Sequence, residues 1–366
     1  MNTVILIKIE ISPGKEKPCL LMKNESITIT DIAKALNFSS STVSRALRDS
    51  YQISEETKRI VKEYAEKHNY HPNLMAQSLK SNKSKSIGLL LCSIPNNFFA
   101  EVISGVESIA YNRGYHIIIT QSHESQEREA RNLEHLSWRS VDGLLVSLAS
   151  ETKDMSSLQK IHANGVPIVF FDRVSDCIET HQVVADNIDG AYQLTKHFIE
   201  SGFRSIAHVT SPYDLSITHE RKEGYLKALA EYDIPVNEQY IKYCPHGGMI
   251  IEEIEMAIQQ LLDMEQPPDA VFTASDRITI GAFAYLHKKN IGIPEQIAIA
   301  GFCNFSSPEL FNPSLTTIRQ PAFEMGKAAA ELLIELIESK KPTTHFEKKI
   351  LGTELLVRDS SVKIVI

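Results

Sequence analysis

Four short hydroxyl side chains in a row, Ser39-Ser40-Ser41-Thr42, followed by Ser44 and Arg45, form the most chemically pointed run of this 366-residue chain. Short polar side chains at the start of a helix let its N-terminus approach phosphates and base edges closely. An arginine one turn further on can pair bidentately with a guanine, a contact worth roughly 1–3 kcal/mol of discrimination. Taken alone, the same run also suits a serine-rich turn between two core helices. A second set of candidates lies far downstream: Arg173 in Phe171-Asp172-Arg173, Arg221 in Arg221-Lys222-Glu223-Gly224-Tyr225, and Asp276 in Ala274-Ser275-Asp276-Arg277. A guanidinium fork matches a carboxylate or a pair of vicinal hydroxyls. Arg173 serves equally well in a structural ion pair, and Asp276 as a helix cap.

The elements that must hold these residues change character along the chain. From Thr28 to Asn69 the pattern is helical three times over. A Thr28-x-x-Asp31 capping box opens the first helix, with Ile32, Ala33 and Leu36 on one face. Ser39 caps the second, whose inner stripe is Val43, Ala46 and Leu47. Ser54 starts the third, with Glu55 and Glu56 where the helix dipole favours anions and Ile60, Val61, Tyr64 and Ala65 inward. Asn69-Tyr70-His71-Pro72-Asn73 is a turn, Leu74–Leu79 a one- to two-turn helix, and residues 81–86 a polar linker. From Ile87 onward, short apolar runs alternate with amphipathic helices. The first four are 87–91, 116–119, 143–146 and 166–171, and a second series follows at 206–209, 241–244, 270–273 and 297–300. Apolar strands alternating with helices mean parallel sheets covered on both faces, and two series mean two α/β lobes with a cleft between them.

Charge follows the same division. The formal net charge of −8 argues against a nucleic-acid binder, but residues 22–85 carry +4 and residues 1–21 carry +1, leaving −13 on residues 86–366. A small basic module on a large acidic body suits a protein that touches phosphates with one end only. The five cysteines show no metal or redox spacing, which fits a reducing cytoplasm. No apolar run reaches the roughly 18 residues of a bilayer span, and Val4-Ile5-Leu6-Ile7, broken by Lys8, is too short for a secretory signal. The expected location is the cytoplasm, in association with the nucleoid. Residues 1–21, with Pro13-Gly14-Lys15-Glu16-Lys17-Pro18, read as a leader or loose tail, and Met22 as the expected natural start. No nucleotide-binding glycine loop, nucleophile elbow or metal-ligand spacing is present, so neither a cofactor nor a metal is expected and the chain reads as a non-enzyme.

The stretch Thr28–Leu47, with its Asp31-Ile32-Ala33 and Thr42-Val43-Ser44-Arg45 landmarks, then Asn69–Asn73, Ala76 and Leu79, resembles the lactose-repressor (LacI/GalR) family of bacterial transcription regulators. The likeness runs from about residue 26 to the end. It implies an all-α helix-turn-helix headpiece (22–71), a hinge helix and linker (72–85), and a periplasmic-binding-protein-like (type I) two-lobed core with parallel sheets (86–366). The first lobe is expected over about 86–186 and 319–347, the second over 187–318 and 348–366. The resemblance implies that Ser40, Ser41 and Arg45 read the major groove, and that Leu79 wedges into the minor groove from a hinge helix formed by residues 73–80. The expected DNA-contact set is Thr28, Ser39, Ser40, Ser41, Thr42, Ser44, Arg45, Asn73, Ala76 and Leu79. The expected effector-contact set is Phe98, Phe99, Arg173, Arg221, Asp276 and Cys303.

Cys303 departs from the pattern, since the family commonly keeps an aspartate after the Gly-Tyr/Phe that here reads Gly301-Phe302. A thiol is a weak hydrogen-bond partner. Leu215 and Ile217 likewise stand where purine-responsive members keep polar groups, which disfavours a purine effector and leaves a sugar or sugar derivative. His246-Gly247-Gly248-Met249 falls on an expected cleft loop with no role assigned. The expected molecule is a homodimeric, ligand-responsive regulator, most simply a repressor, on pseudo-palindromic operator DNA. The competing reading is a sugar-binding protein of the same core without DNA function, which residues 28–80 oppose.

Overall fold

The computed structural model describes residues 27–70, 84–138, 141–341 and 343–363, in two units, each described by itself. The expected hinge with Asn73, Ala76 and Leu79, and the leader through Met22, lie outside the described residues.

The first unit is three helices, α1 (Ile29–Leu36), α2 (Ser40–Ala46) and α3 (Glu55–Lys67). Each starts where its cap dictates. Thr28 and Asp31 close a reciprocal capping box, and Ser39 and Ser54 each accept the N–H three residues on. Asn37, at φ 54°, ends α1 and turns the chain toward α2. Ile32, Ala33, Val43, Ala46, Val61 and Ala65 form the small core, with Leu36, Leu47 and Tyr64 packed around it.

The second unit runs β1 (Ser86–Leu91), α4 (Asn97–Asn112), β2 (His116–Gln121), α5 (Gln126–Trp138), β3 (Gly143–Val146), α6 (Ser156–Ala163), β4 (Ile168–Phe171) and β5 (Gln182–Ala185). It continues through α7 (Asn187–Glu200), β6 (Ile206–Thr210), α8 (Ser216–Glu231), β7 (Ile241–Tyr243), α9 (Ile251–Leu262), β8 (Ala270–Thr273), α10 (Asp276–Lys288) and β9 (Ala298–Phe302). It closes with β10 (Thr316–Arg319), α11 (Ala322–Glu338), β11 (Lys348–Leu351) and β12 (Glu354–Leu356). The first sheet is ordered β11-β5-β4-β3-β1-β2 and the second β12-β10-β9-β8-β6-β7. All pairs are parallel except β10 with β12.

Two expectations change. Residues 348–351 pair in parallel with 182–185 and therefore belong to the first lobe, so the last crossing falls after Leu351 and not at 348; the preceding crossing likewise follows Arg319, which ends a second-sheet strand. The chain thus crosses between lobes three times, after β5, β10 and β11. β2 is an edge strand with His116 and Ile119 exposed, because no strand flanks it on the outer side, and is not buried on both faces as its apolar run suggested.

Helices α4 and α11 cover the first sheet and cross at glycine. A β-carbon on Gly105 would stand 2.0 Å from the Phe323 carbonyl oxygen, and one on Gly326 2.1 Å from that of Val102. Gly105→Ala therefore has to push the two backbones apart, with an expected cost of about 3 kcal/mol in chemical denaturation. An unchanged midpoint would show that the helices separate freely.

Candidate functional site

The start of α2 presents the short polar side chains. Ser39 Oγ accepts the Thr42 N–H at 3.1 Å and lies 2.8 Å from the hydroxyls of Ser41 and Thr42. Ser40, Ser41 and Arg45 are exposed, while Thr42 and Ser44 are half-buried. Lys58, Arg59 and Lys62 of α3 each face a carboxylate, on Glu55, Glu63 and Asp49. Arg45 is engaged by none of these acids. Thr28 is also exposed, but its hydroxyl is tied to Asp31 in the capping box. Arg48, absent from the expected contacts, donates from Nε and Nη2 to the Ser44 carbonyl and hydroxyl at 3.1 and 2.8 Å. That bond fixes the Ser44 side chain on the exposed end of α2.

The second site lies where the carboxyl ends of the two parallel sheets face each other, the place where open α/β sheets leave a crevice for ligands. On the second lobe, Arg221 of α8 is 3% exposed. Its Nε donates to Asn187 Oδ1 at 2.9 Å, its Nη2 to Gln320 Oε1 at 2.8 Å, and its Nη1 to the Ala274 carbonyl. The guanidinium also stacks on Phe302, 3.9 Å from the ring centroid. Burial lowers its pKa to about 10. Three of its five N–H donors are thus fixed by protein, and two remain.

Asp276 opens α10, and Asn304 N donates to its Oδ1 at 2.6 Å. Burial raises the Asp276 carboxyl above the usual range, against the pull of that N–H and of the Cys303 thiol bonded to it. Burial and the neighbouring Asp276 also keep the thiol protonated. Position 303 therefore places a protonated thiol, not a second carboxylate, beside Asp276. Leu215 and Ile217 are buried.

On the first lobe, Arg173 follows β4 and donates to Glu124 through both terminal nitrogens, at 2.6 and 3.1 Å, and to Cys92 Sγ at 3.2 Å. Of its two sequence readings, the structural ion pair is present. Burial would raise the Glu124 carboxyl, but the charge and hydrogen bonds of Arg173 outweigh it and hold the group below its ordinary value. Asp172, at φ 59°, is raised by burial. Phe98 and Phe99 sit edge to face, 5.2 Å apart, at 4% exposure each in the first-lobe core. Both rings pack into that core.

Several contacts bridge the lobes. Asn304 Nδ2 reaches Glu101 at 3.1 Å, Arg277 Nη1 stands 3.8 Å from Glu124 Oε1, and Lys153 3.8 Å from Asp214. Glu124, Arg277, Asn187 and Gln320 were not among the expected site residues. The signal that points to Glu124 is its place just past a strand's carboxyl end, within Ser122-His123-Glu124. Around the crevice, the side chains of Ser122, Ser150, Thr210, Ser216 and Thr218 and Nε of Arg173 are buried with no hydrogen-bond partner among the described residues. The polypeptide entering this unit is also clamped: Asp142 accepts from the N–H groups of Ser84 and Lys85 at 2.7 and 3.0 Å.

Comparison with known proteins agrees with both halves. Residues 28–73 match the family described as bacterial regulatory proteins, lacI family, and residues 195–361 match the periplasmic binding protein-like domain. The HTH-type transcriptional repressor PurR of Vibrio atlanticus (strain LGP32) is 34% identical over 313 residues, 86% of this chain and 92% of that protein. Its namesake from Vibrio campbellii (strain ATCC BAA-1116) is 31% identical over 339 residues, 92% and 99% of the two chains. Among solved structures, the complex of the transcriptional regulator CelR with cellobiose superposes with a TM-score of 0.69 at 28% identity, over 91% of this chain and 99% of that one. The lac repressor dimer bound to operator and the anti-inducer ONPF gives 0.79 at 22% identity, over 93% and 100%, a likeness of fold.

Proposed function

This chain belongs to the lacI family of bacterial regulatory proteins and is a ligand-responsive, DNA-binding transcriptional repressor, and from that premise we propose that it acts as a homodimer on pseudo-palindromic operator DNA under the control of a carbohydrate held between its two lobes. The observation that carries the effector reading is the set of buried hydroxyls at the carboxyl ends of both sheets that have no hydrogen-bond partner among the described residues, interleaved with Arg173, Arg221 and Asp276. Buried polar groups are costly unless bonded. A polyhydroxylated ligand both donates to and accepts from such groups. The CelR complex supports the same class, since that relative was solved with a disaccharide.

On the DNA side, α2 carries the base-reading role, with Ser40, Ser41 and Arg45 directed outward, and two copies on one operator add specificity by linkage. Effector and operator then influence each other reciprocally through lobe geometry. The site of action is the bacterial cytoplasm. No helix among the described residues is long and apolar enough to cross a membrane, and Cys92, Cys177, Cys244 and Cys303 are free thiols. No catalytic chemistry is assigned to either site.

A mobility-shift assay with the DNA flanking the protein's own gene tests the reading. The expected result is a salt-sensitive shift that a carbohydrate modulates; a folded dimer that shifts no natural promoter fragment would sink it. Arg45→Ala is expected to weaken operator binding by roughly 1–3 kcal/mol while sparing random DNA. Equal loss on both DNAs would assign Arg45 to the phosphate backbone instead.

A further inference from the structure

Glu124 has more partners than a structural ion pair needs, and one place left over. Its Oε2 accepts from Arg173 Nη1 at 2.6 Å and from the Ser150 N–H at 2.9 Å, and its Oε1 accepts from Arg173 Nη2 at 3.1 Å. The same Oε1 faces Arg277 of the opposite lobe across 3.8 Å, an ion pair too long for a hydrogen bond. A β-carbon on Gly247, from the otherwise unassigned 246–249 loop, would also stand 3.8 Å from Oε1, so a bare backbone forms the neighbouring wall. The hydroxyls of Ser122 and Ser150 and Nε of Arg173, all buried, have no hydrogen-bond partner among the described residues, Nε lying 4.0 Å from the Asp172 carboxylate. His123 and Glu124 hold φ of 50° and 65°, sparsely populated for such residues, in the turn that presents the carboxylate.

We propose that Glu124 and Arg277 form a recognition subsite for a neutral hydroxyl of the effector, which inserts between them and bridges the two lobes; this rests on the carbohydrate reading above. A hydroxyl is the group that can donate to the carboxylate and accept from the guanidinium at once. An ammonium could not accept from Arg277, and a carboxylate or phosphate would meet Glu124 with like charge. Two good hydrogen bonds through one oxygen span about 4.5–5 Å, so insertion widens the pair by roughly 1 Å. Occupancy of this subsite therefore sets the spacing of the lobes as well as ligand choice.

The test is a thermal-shift titration of the full chain with glucose, ribose and cellobiose, each beside a charged counterpart: gluconate, ribose 5-phosphate and cellobionate. The proposal expects a neutral sugar to stabilise the wild type, its anionic counterpart to fail, and Arg277→Met to weaken the neutral sugar about tenfold or more. Arg277→Met leaves the buried Glu124–Arg173 pair in place. In the second variant, Glu124→Gln, the anionic counterpart gains affinity relative to the neutral sugar. A wild type that prefers the anion, or an Arg277→Met protein that binds the neutral sugar as tightly as wild type, overturns the subsite and leaves the carbohydrate reading standing. If no sugar of either kind shifts the wild type, the carbohydrate reading falls and the subsite with it.

Discussion

Arg221→Ala is expected to cost about 3–5 kcal/mol of stability and to abolish the effector response together with it. The guanidinium joins four parts of the second unit: Asn187 at the first lobe crossing, Ala274 after β8, Gln320 after β10, and the Phe302 ring. Removing it strands three buried acceptors, and Asp172 across the crevice loses a neighbouring positive charge. For a unit of this size the loss corresponds to a melting temperature lower by roughly 6–15 °C. Calorimetry checks the first half and ligand-induced stabilisation the second. A variant that melts like wild type but ignores the effector would make Arg221 a ligand contact without a structural role; one that keeps the response would remove it from the site.

The second large effect is on pH. His208, on β6, lies between the rings of Tyr225 and Phe272, with its Nε2 buried and unpartnered among the described residues. Burial lowers its pKa to about 3, against an ordinary 6.5. Between those values the unfolded chain holds a proton that the folded chain refuses, so stability rises with pH. The contribution is fully present above 6.5 and lost as pH falls toward 3, at roughly 1.4 kcal/mol per unit. Burial lowers His181 and His197 too, which adds to the same slope. His208→Phe keeps an aromatic ring in the stack and is expected to flatten urea-derived stability against pH by nearly one proton between pH 6 and 4. An undiminished slope in that variant would assign the acid sensitivity to other groups.

What could be read from the sequence divides by the range of the interactions involved. The caps at Thr28, Ser39 and Ser54 are local chemistry, decided within three residues, and each starts its helix where expected. The central strands are legible because both of their faces are buried, as at Gly143–Val146 and Ala270–Thr273. β5 and β10 are buried too but include the polar Gln182, Thr316 and Thr317, and β11 and β12 are exposed or half-buried, so none of the four shows a continuous apolar run. Lys348-Lys349-Ile350 is largely exposed and is a strand only because Gln182–Ala185 offers it an edge, which explains the misplaced lobe boundary.

The crevice follows the same rule. Arg221, Asp276 and Cys303 stand out through family resemblance, and all three converge on the second-lobe wall, Asp276 in contact with Cys303. Glu124 does not stand out, because its meaning depends on Arg173 and Arg277, which the folded chain alone brings to it. Phe98 and Phe99 enter the expected set through the resemblance alone, and both rings are buried against the first-lobe core.

The late return of Lys348–Leu351 to the first sheet has a consequence for how the protein is made. The three helices of the first unit are contiguous and end at Lys67, whereas the first lobe lacks α11 and its edge strand until the chain has been synthesised past residue 351. At translation rates on the order of 5–20 residues per second, the DNA reader leaves the ribosome roughly 15 seconds to a minute before the last piece of its regulator. Domains fold as they emerge, N-terminal first, so each nascent chain carries a folded helix-turn-helix before the lobes that answer the effector are complete.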